Sequence, residues 1–467
     1  MGRGLFAGLP ALAACVAAAL TGAAGTPAKP PSAPASIRVQ RPLAPGTGLR
    51  PATHVRWCGT DAAGADRKPE GSSGRQVHVV YAIPAGGADR FASLASLIAS
   101  DVAGIDAWWR GQDPARSPRF DLFPFPGCEP GFGQLDISRV QLAHDGAYFA
   151  PLDSRFLRLA TDLAAAGFDD PAKKILLFYD GPVENQGVCG QSPVLPDRGG
   201  SRAVAAVFLG TVCRPEDLGL EAVTASVAAH ELVHNLGALV SPGPLHPCPG
   251  DPSHPCDLEN DLMYPVSRGQ GLSQLVLDAG RDDYYGHTGS WFDVQDSGWL
   301  SRLDLLQQPL TVSLQGPGSV VSDLPGIACP VACSILWDGG SAVTLRASPQ
   351  PGARFLGWGG ACRGTASCAV TVSAATSVVA RFAFQAALSV SVVRRRGAAG
   401  KVTSRPAGIS CPAACRFTFT RDSVVALRVT PAARSRFAGW SGACKGRVPC
   451  SVRLSAARSV RATFVRP

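Results

Sequence analysis

Hydrophobic residues between positions 54 and 307 follow two spacings that alternate along the chain. Residues 77–83 form a continuous β-branched and apolar run, which predicts a buried strand. Residues 89–110 carry apolar side chains three and four positions apart, which predicts a helix. The same two patterns predict further strands at 135–142, 174–179 and 203–212, and further helices at 153–166, 221–236 and 290–303. Strands that alternate with helices predict an α/β sandwich for this region.

Beyond residue 310, Ser, Thr, Val, Gly and Arg become frequent and the helical spacing disappears. Six cysteine and aromatic positions recur 82 residues later in this part of the chain. They are Cys329, Cys333, Trp358, Cys362, Cys368 and Phe382, which return as Cys411, Cys415, Trp440, Cys444, Cys450 and Phe464. Positions that stay in phase in this way indicate an internal repeat, so we predict two small β-rich modules at 308–385 and 386–467.

Each module resembles the divergent internalin-type B repeat of bacterial surface and secreted proteins, on the shared pattern Phe-x-Gly-Trp-x-Gly-Ala-Cys at 355–362 and 437–444. Small modules with little core gain most from disulfides. This predicts the short-range pairs Cys329–Cys333 and Cys362–Cys368 and their counterparts in the second module. We interpret Trp358 and Trp440 as core residues in preference to sugar-binding ones.

The two ends of the chain and its cysteines indicate export. Residues 1–25 have a positive start, an apolar run and small residues before a cleavage site, as in a secretory signal. In an alternative interpretation Cys15 carries a lipid, as in a lipoprotein. Residues 26–53 are rich in Pro and are predicted as a flexible linker. The other 14 cysteines divide into six, four and four, and even numbers indicate disulfides formed in an oxidising compartment. We therefore predict a secreted or cell-surface protein with no transmembrane segment.

The net charge of +9 is concentrated at the C-terminal end. Residues 386–467 hold 16 Lys and Arg residues and one acid, Asp422, which is a net charge of +15. Such a module can attach to an anionic surface such as wall polymers, phospholipid headgroups or extracellular nucleic acid, without specific nucleic-acid recognition. The alternative is a solvated face that reflects only an Arg-rich composition.

The candidate chemistry lies in His230-Glu231-Leu232-Val233-His234. On a helix, residues four apart share one face, so His230 and His234 can point at one metal ion with Glu231 beside them. Four of the eight histidines lie within 25 residues, because His246 and His254 follow closely. The second methionine of the chain, Met263, lies just beyond them.

Together these residues resemble the metzincin metallopeptidases, whose pattern is His-Glu-x-x-His-x-x-Gly-x-x-His followed by a Met-containing turn. His230, Glu231, His234, Gly237 and Met263 match that pattern. The third-ligand position is Val240, which cannot bind a metal. We therefore predict His246 as the third ligand, reached through an inserted Pro/Gly loop, with His254, Asp251 or Asp257 as alternatives.

The resemblance implies a metzincin-like catalytic domain at 54–307, with a twisted sheet, a zinc helix and a Met-turn, that hydrolyses peptide bonds of a peptide or protein. It implies Zn²⁺ held by His230, His234 and His246, with Glu231 assisting the attack of zinc-bound water and Tyr264 as a second catalytic residue or a packing residue. Cys248 and Cys256 are expected to form disulfides and not to bind zinc. The 282–285 segment (Asp-Asp-Tyr-Tyr) is interpreted as a polar turn, with a cation or substrate contact as the alternative.

Two other functions stay open at this stage. The Val240 position favours a non-catalytic, surface-binding protein with a degraded metallopeptidase domain. A zinc hydrolase that acts on cell-wall peptides is the other alternative.

Overall fold

A computed structural model describes residues 34–40, 54–60, 63–194, 199–200, 203–219, 223–239 and 245–467. The predicted signal at 1–25, the alternative lipid site Cys15 and the departure at Val240 lie outside the described residues.

The first domain is mixed α/β, as its alternating patterns predicted. Its helices and strands are, in chain order, β1 (Arg38–Val39), β2 (Gln76–Ala85), α1 (Phe91–Gln112), β3 (Arg116–Pro118), β4 (Ile137–Asp145), α2 (Gly146–Phe149), α3 (Leu152–Ala165), β5 (Lys173–Tyr179), β6 (Gly190–Gln191), β7 (Val204–Phe208), α4 (Val223–Leu236), β8 (Pro247–Cys248), β9 (Asp251–Pro255), β10 (Val266–Ser267) and β11 (Leu300–Arg302). Short 3₁₀ turns lie at Phe132–Gln134, Pro215–Asp217, Leu272–Gln274 and Val294–Asp296.

A five-stranded sheet with the order β4-β2-β5-β7-β6 forms the centre of this domain. Its first four strands are parallel, and the short edge strand β6 is antiparallel to β7. Alternate residues of β2 point to opposite faces: Val79 contacts the core that contains α1 and α4, and Val80 contacts the core that contains α3. Helices on both faces explain why the strands read as continuous apolar runs and not as alternating ones.

Helix α1 is long and apolar enough to cross a bilayer by length and composition, but 61% of that stretch is buried inside the protein. Its apolar residues, including Ile98, Val102 and Ile105, belong to the same core as α4. The helix is therefore a central packing element of the domain.

The predicted helix at 290–303 is wrong. The chain forms a single 3₁₀ turn at Val294–Asp296 and then strand β11, which pairs antiparallel with β3. The carboxylate of Asp293 accepts from the Gln295 N–H at 2.8 Å, so it caps a short turn locally. Trp299 is fully buried, so the apolar pattern reflected core packing and not helical periodicity.

The linker predicted at 26–53 is contradicted where the structure describes it. Residues 34–40 do not form a flexible spacer: Ala35, Ile37 and Val39 are each at most 7% exposed, and β1 pairs in parallel with β10. An apolar side chain at every second position suits a half-buried strand, and the Pro-rich composition masked that alternation.

The predicted short-range disulfides of the repeats are present, with Cys411–Cys415 and Cys444–Cys450 as their counterparts. The first domain forms Cys58–Cys128, Cys189–Cys213 and Cys248–Cys256. Because Cys248 and Cys256 bond to each other, neither sulfur is a free thiolate.

The two repeats share one strand pattern. Their strands are β12 (Gln307–Gln315), β13 (Gly318–Ser322), β14 (Ala328–Cys329), β15 (Ser334–Asp338), β16 (Ser341–Pro349), β17 (Ala353–Gly360), β18 (Cys368–Val372), β19 (Thr376–Arg394), β20 (Gly400–Arg405), β21 (Ser410–Cys411), β22 (Arg416–Thr420), β23 (Val424–Pro431), β24 (Arg436–Gly442), β25 (Cys450–Arg453) and β26 (Arg458–Val465). The sheet β14-β13-β16-β18 in the first repeat corresponds to β21-β20-β23-β25 in the second. Trp358 and Trp440 are 5% and 6% exposed, so both are core residues.

Strand β19 is 19 residues long and belongs to both repeats. Its first half pairs with β12 and its second half with β26. The boundary predicted between residues 385 and 386 therefore lies within a continuous strand. The first repeat also contacts the first domain, through an Arg119–Asp338 ion pair and a 2.7 Å hydrogen bond from Ser73 Oγ to the Leu336 carbonyl.

Helix α4, which carries the His-Glu-x-x-His pattern, is anchored at its C-terminal end by a buried lysine. Lys174 on β5 donates to the backbone carbonyl of Asn235 and, at 3.1 Å, to its Oδ1 atom. The ammonium also lies 4.7 Å from the ring centroid of Trp299. A cation at this position satisfies terminal carbonyls and opposes the negative end of the helix dipole.

Replacing Lys174 with Met is expected to lower the free energy of unfolding of the first domain by roughly 1–3 kcal/mol, because buried oxygens of Asn235 lose this donor. Calorimetry of the full chain would compare it with Lys401→Met, which removes an exposed ammonium. An unchanged first-domain transition, or an equal drop in both variants, would contradict the anchoring role.

Candidate metal centre

Three histidines converge in the interior of the first domain. The Nε2 atom of His254 lies 3.2 Å from that of His230 and 3.1 Å from that of His234. All three side chains are fully buried. His230 and His234 lie one helical turn apart on α4, and His254 approaches from strand β9.

The other ring nitrogen of two histidines is already used. His230 Nδ1 lies 2.7 Å from the Leu262 carbonyl, and His254 Nδ1 lies 2.9 Å from Asp251 Oδ2. A carbonyl oxygen accepts only, so His230 carries its proton on Nδ1, and the carboxylate favours the same tautomer in His254. Their Nε2 lone pairs therefore face each other at 3.2 Å. Lone pairs repel at that distance unless a cation lies between them.

The geometry fits a tetrahedral metal ion. With metal–nitrogen bonds of ~2.0–2.1 Å, the nitrogens of a tetrahedral site are about 3.3 Å apart, close to the distances of 3.1 and 3.2 Å. Burial lowers the pKa of His230 to about 3 and the pKa of His234 well below its usual range. Both rings are thus neutral, the form that binds a metal.

His246, the predicted third ligand, is not brought to this centre. Its side chain is 41% exposed, its backbone N–H donates to Asp283 Oδ1 at 2.8 Å, and its Nδ1 lies 3.3 Å from Asp283 Oδ2. The Cys248–Cys256 disulfide closes the β8–β9 hairpin, and the returning strand presents His254 to α4. Sequence distance alone favoured the nearer histidine, whereas the hairpin selects the farther one.

Glu231 lies beside the histidines with a carboxylate that has no competing partner. It is fully buried, and neither oxygen has a hydrogen-bond partner of good geometry among the described residues. Burial raises the pKa of Glu231 well above its usual range, and the backbone N–H of Ile37 opposes that rise. Gly190 on edge strand β6 is required here, because a Cβ atom at that position would lie 2.5 Å from Glu231 Oε1.

The turn that contains Met263 supports His230 from below. Met263 is fully buried, and its N–H donates to Asp261 Oδ1 at 2.7 Å. Asp261 Oδ2 accepts from the Ala279 N–H at 2.7 Å, so one carboxylate closes the turn that presents the Leu262 carbonyl. Tyr264, the other predicted catalytic residue, lines a small cavity with Ile37 and Val266.

The 282–285 segment forms the predicted turn, not a ligand contact. Tyr284 and Tyr285 are fully buried, and the carboxylate of Asp278 accepts from both of their backbone N–H groups at 2.6 Å. The Tyr284 hydroxyl donates to Asp261 Oδ1 at 3.0 Å. The segment therefore braces the Met263 turn.

A second cluster of potential ligands lies on the other side of the sheet. Asp66, His78, Asp121 and Asp136 approach one another there. The ammonium of Lys173 lies among them, donating to Asp121 and to Asp66 at 2.7 Å, and thus supplies the positive charge itself. We assign this cluster to a buried polar network.

The N-terminal segment 34–40 lies against the metal centre. On one side it bonds to the stretch that includes β6: Ala35 N–H donates to the Ser192 carbonyl at 2.9 Å, and Cys189 N–H donates to the Ile37 carbonyl at 3.2 Å. On the other side it bonds to the stretch that includes β10: Arg38 N–H donates to the Pro265 carbonyl at 3.2 Å. We call the space between residues 187–192 and 264–267 the groove. Sequence reasoning did not find this packing.

Comparison with known proteins identifies one part of the chain. Residues 330–386 match the family described as "Divergent InlB B-repeat domain". The chain contains such a domain. No curated protein matches the chain.

Two solved structures of metallopeptidase type show weak likeness. One is catalytically inactive OgpA from Akkermansia muciniphila in complex with an O-glycopeptide substrate, with 12% identity, a TM-score of 0.26, and coverage of 79% of this chain and 98% of that chain. The other is metalloproteinase-II from Bacteroides fragilis, with 17% identity, a TM-score of 0.25, and coverage of 49% of this chain and 55% of that chain. At these values the likeness carries no functional conclusion, so the site's own geometry has to carry it.

Replacing His254 with Ala is expected to lower metal affinity at least about 100-fold, because even loss of a residue that only supports a ligand costs 10–100-fold. The matched variant His246→Ala removes a histidine eight positions earlier and should keep its metal. Metal per chain, measured by mass spectrometry after dialysis, would compare the two. Retention in His254→Ala with loss in His246→Ala would restore the ligand set predicted from sequence.

Proposed function

We propose that this chain is a secreted zinc-dependent endopeptidase. The observation that supports it most directly is the convergence of three neutral imidazole Nε2 atoms beside a buried carboxylate without a competing partner. Three nitrogen ligands with an open fourth position are typical of catalytic zinc sites, whereas structural zinc sites are closed by four protein ligands. Seven disulfides support secretion into an oxidising compartment.

His230, His234 and His254 would hold the metal in this proposal. Zinc, when bound there, would supply a Lewis acid for a peptide carbonyl and a water of lowered pKa. The Leu262 carbonyl and Asp251 keep the rings of His230 and His254 in the metal-binding tautomer. Such outer partners fix the direction of the ligand lone pairs before any metal arrives.

Glu231 is the residue that would move the proton. Its carboxylate would accept a proton from the attacking water and then deliver it to the leaving amide nitrogen. The absence of a good hydrogen-bond partner among the described residues leaves both oxygens available for this task. Tyr264 lines the same groove, and we propose that it acts on the bound peptide as the second catalytic residue.

The complete ligand set argues against a degraded, non-catalytic domain. His254 fills the place that the Val240 position left open in the sequence pattern. A relic site would have no requirement for the two Nδ1 acceptors or for a glycine opposite Glu231. Hydrolysis of cell-wall peptides uses the same residues, so purified peptidoglycan is to be tested alongside casein.

Glu231→Gln is expected to reduce peptide hydrolysis by about 10²–10⁴-fold, the usual contribution of a positioned general base. The metal should stay bound, because no ligand changes. Release of labelled peptides from casein, read together with metal per chain, checks both statements. Full hydrolysis in the variant would exclude Glu231 as the base, and a metal-loaded parent that cleaves neither casein nor peptidoglycan would favour a binding protein.

We also propose that the second repeat attaches the protein to an anionic surface. All 16 Lys and Arg side chains of residues 386–467 are exposed, and Asp422 is the single acid among them. Asp422 lies 3.9 Å from Arg453 and neutralises at most one charge. A surface this basic attracts polyanions and anionic lipid headgroups.

The two repeats provide matched substitutions at positions 82 residues apart. Changing three exposed basic residues of the second repeat to Glu should weaken binding to phosphatidylglycerol vesicles at least about tenfold, since each contributes about 1 kcal/mol near such a surface. The same three changes in the first repeat alter the total charge equally and should have little effect. The sets are Arg428, Arg436 and Lys445 in the second repeat, and Arg346, Arg354 and Arg363 in the first. Equal loss from both sets in vesicle pelleting would refute a specific role for the second repeat.

A further inference from the structure

The groove beside the metal centre is filled by the chain itself. Segment 34–40 has backbone hydrogen bonds along both of its edges, to Gly187 and Ser192 on one side and to Pro265 and Ser267 on the other. Addition of an extended peptide to the edge of a sheet is a general mode of peptide recognition, in which backbone bonds hold the strand and alternate side chains enter pockets. The segment follows this mode within one chain.

The side chains of the segment divide as those of a bound peptide would. Ile37 and Val39 are 3% and 5% exposed and belong to the core that includes α4. Arg38 and Gln40 point to solvent. The pocket around Ile37 is lined by Leu262, Tyr264 and other residues of the Met263 turn. An aliphatic side chain is therefore held directly beside the metal centre.

The register identifies one peptide bond. The N–H groups of Ala35 and Val39 donate to carbonyls of the 187–192 stretch, whereas the N–H of Ile37, between them, faces the Glu231 carboxylate. A residue that protonates the leaving nitrogen of a peptide bond has to lie beside that nitrogen. The nitrogen beside Glu231 belongs to the bond between Ser36 and Ile37.

We infer that segment 34–40 is the first substrate of this site, bound in cis, and that the chain is latent until the Ser36–Ile37 bond is hydrolysed. Water adds to the Ser36 carbonyl carbon, the C–N bond breaks, and the proton goes to the Ile37 nitrogen. The products are a Ser36 carboxylate and a chain that begins at Ile37. This inference rests on the proposed peptidase function and adds the bond, the groove and a preference for an aliphatic residue after the cleaved bond.

The test begins with occupancy, which needs no catalysis. In the full-length Glu231→Gln chain, hydrogen exchange followed by mass spectrometry should show protected amides at 35 and 38–40, because each donates to a backbone carbonyl. Ile37→Asp in the same background should abolish this protection by placing a charge in an apolar pocket. The matched Arg38→Asp changes a neighbouring exposed side chain and should retain it. Unprotected amides in the Glu231→Gln chain itself would overturn the inference, whatever the chain's activity.

Processing is then followed by intact mass in the full-length, zinc-loaded chain with Glu231 in place. A new N-terminus at Ile37, formed at a rate independent of chain concentration and preceding casein hydrolysis, is the expected result. Glu231→Gln should stay uncut. Casein hydrolysis from the start, with Ser36–Ile37 intact, would overturn the inference and leave the proposed function in place. A protected segment in a chain that cleaves neither itself nor casein would instead refute the peptidase function.

Discussion

His254 brings its Nε2 atom within 3.2 Å of two other buried imidazole nitrogens, and the first domain is arranged around that contact. Protonated rings at this distance would repel each other strongly in a medium of low dielectric constant. Acceptors at the opposite ring nitrogens leave lone pairs, not protons, at the centre. A bound cation turns this convergence from a repulsion into a set of bonds. The Met263 turn, the β8–β9 hairpin and helix α4 then share one purpose, which is to hold three rings in place.

Sequence reasoning reached those parts of the site that depend on local spacing. His230, Glu231 and His234 share a helix, so a period of 3.6 residues suffices to place them together. His254 depends on a hairpin, and its direction is set by the Cys248–Cys256 disulfide and the Pro249–Gly250 turn. Two cysteines eight residues apart that enclose a Pro-Gly pair were a readable sign of that hairpin. Counting residues from His234 ignored it and favoured His246.

The fold shows the same division between local and distant determinants. Buried parallel strands such as β5 were predicted to within a residue or two, because their apolar runs are continuous and bounded. The stretch at 290–303 failed, because Trp299 is buried by contacts with distant residues, including the Arg75 and Lys174 side chains above its ring. Repeats came through clearly, since the offset of 82 survives divergence, but their shared strand β19 could not be read from two separate modules.

The edge of the central sheet links folding to the proposed chemistry. Strand β6 is only two residues long, and Cys189, next to it, is tied to Cys213. An unpaired edge invites any extended chain, which makes it suitable for binding a peptide and prone to aggregation. Segment 34–40 resolves this conflict while it stays in the groove, because it satisfies the edge with the chain's own backbone. A peptidase that exposes this edge only after leaving the cell would avoid pairing with other chains during export, and its latency would follow from the same hydrogen bonds.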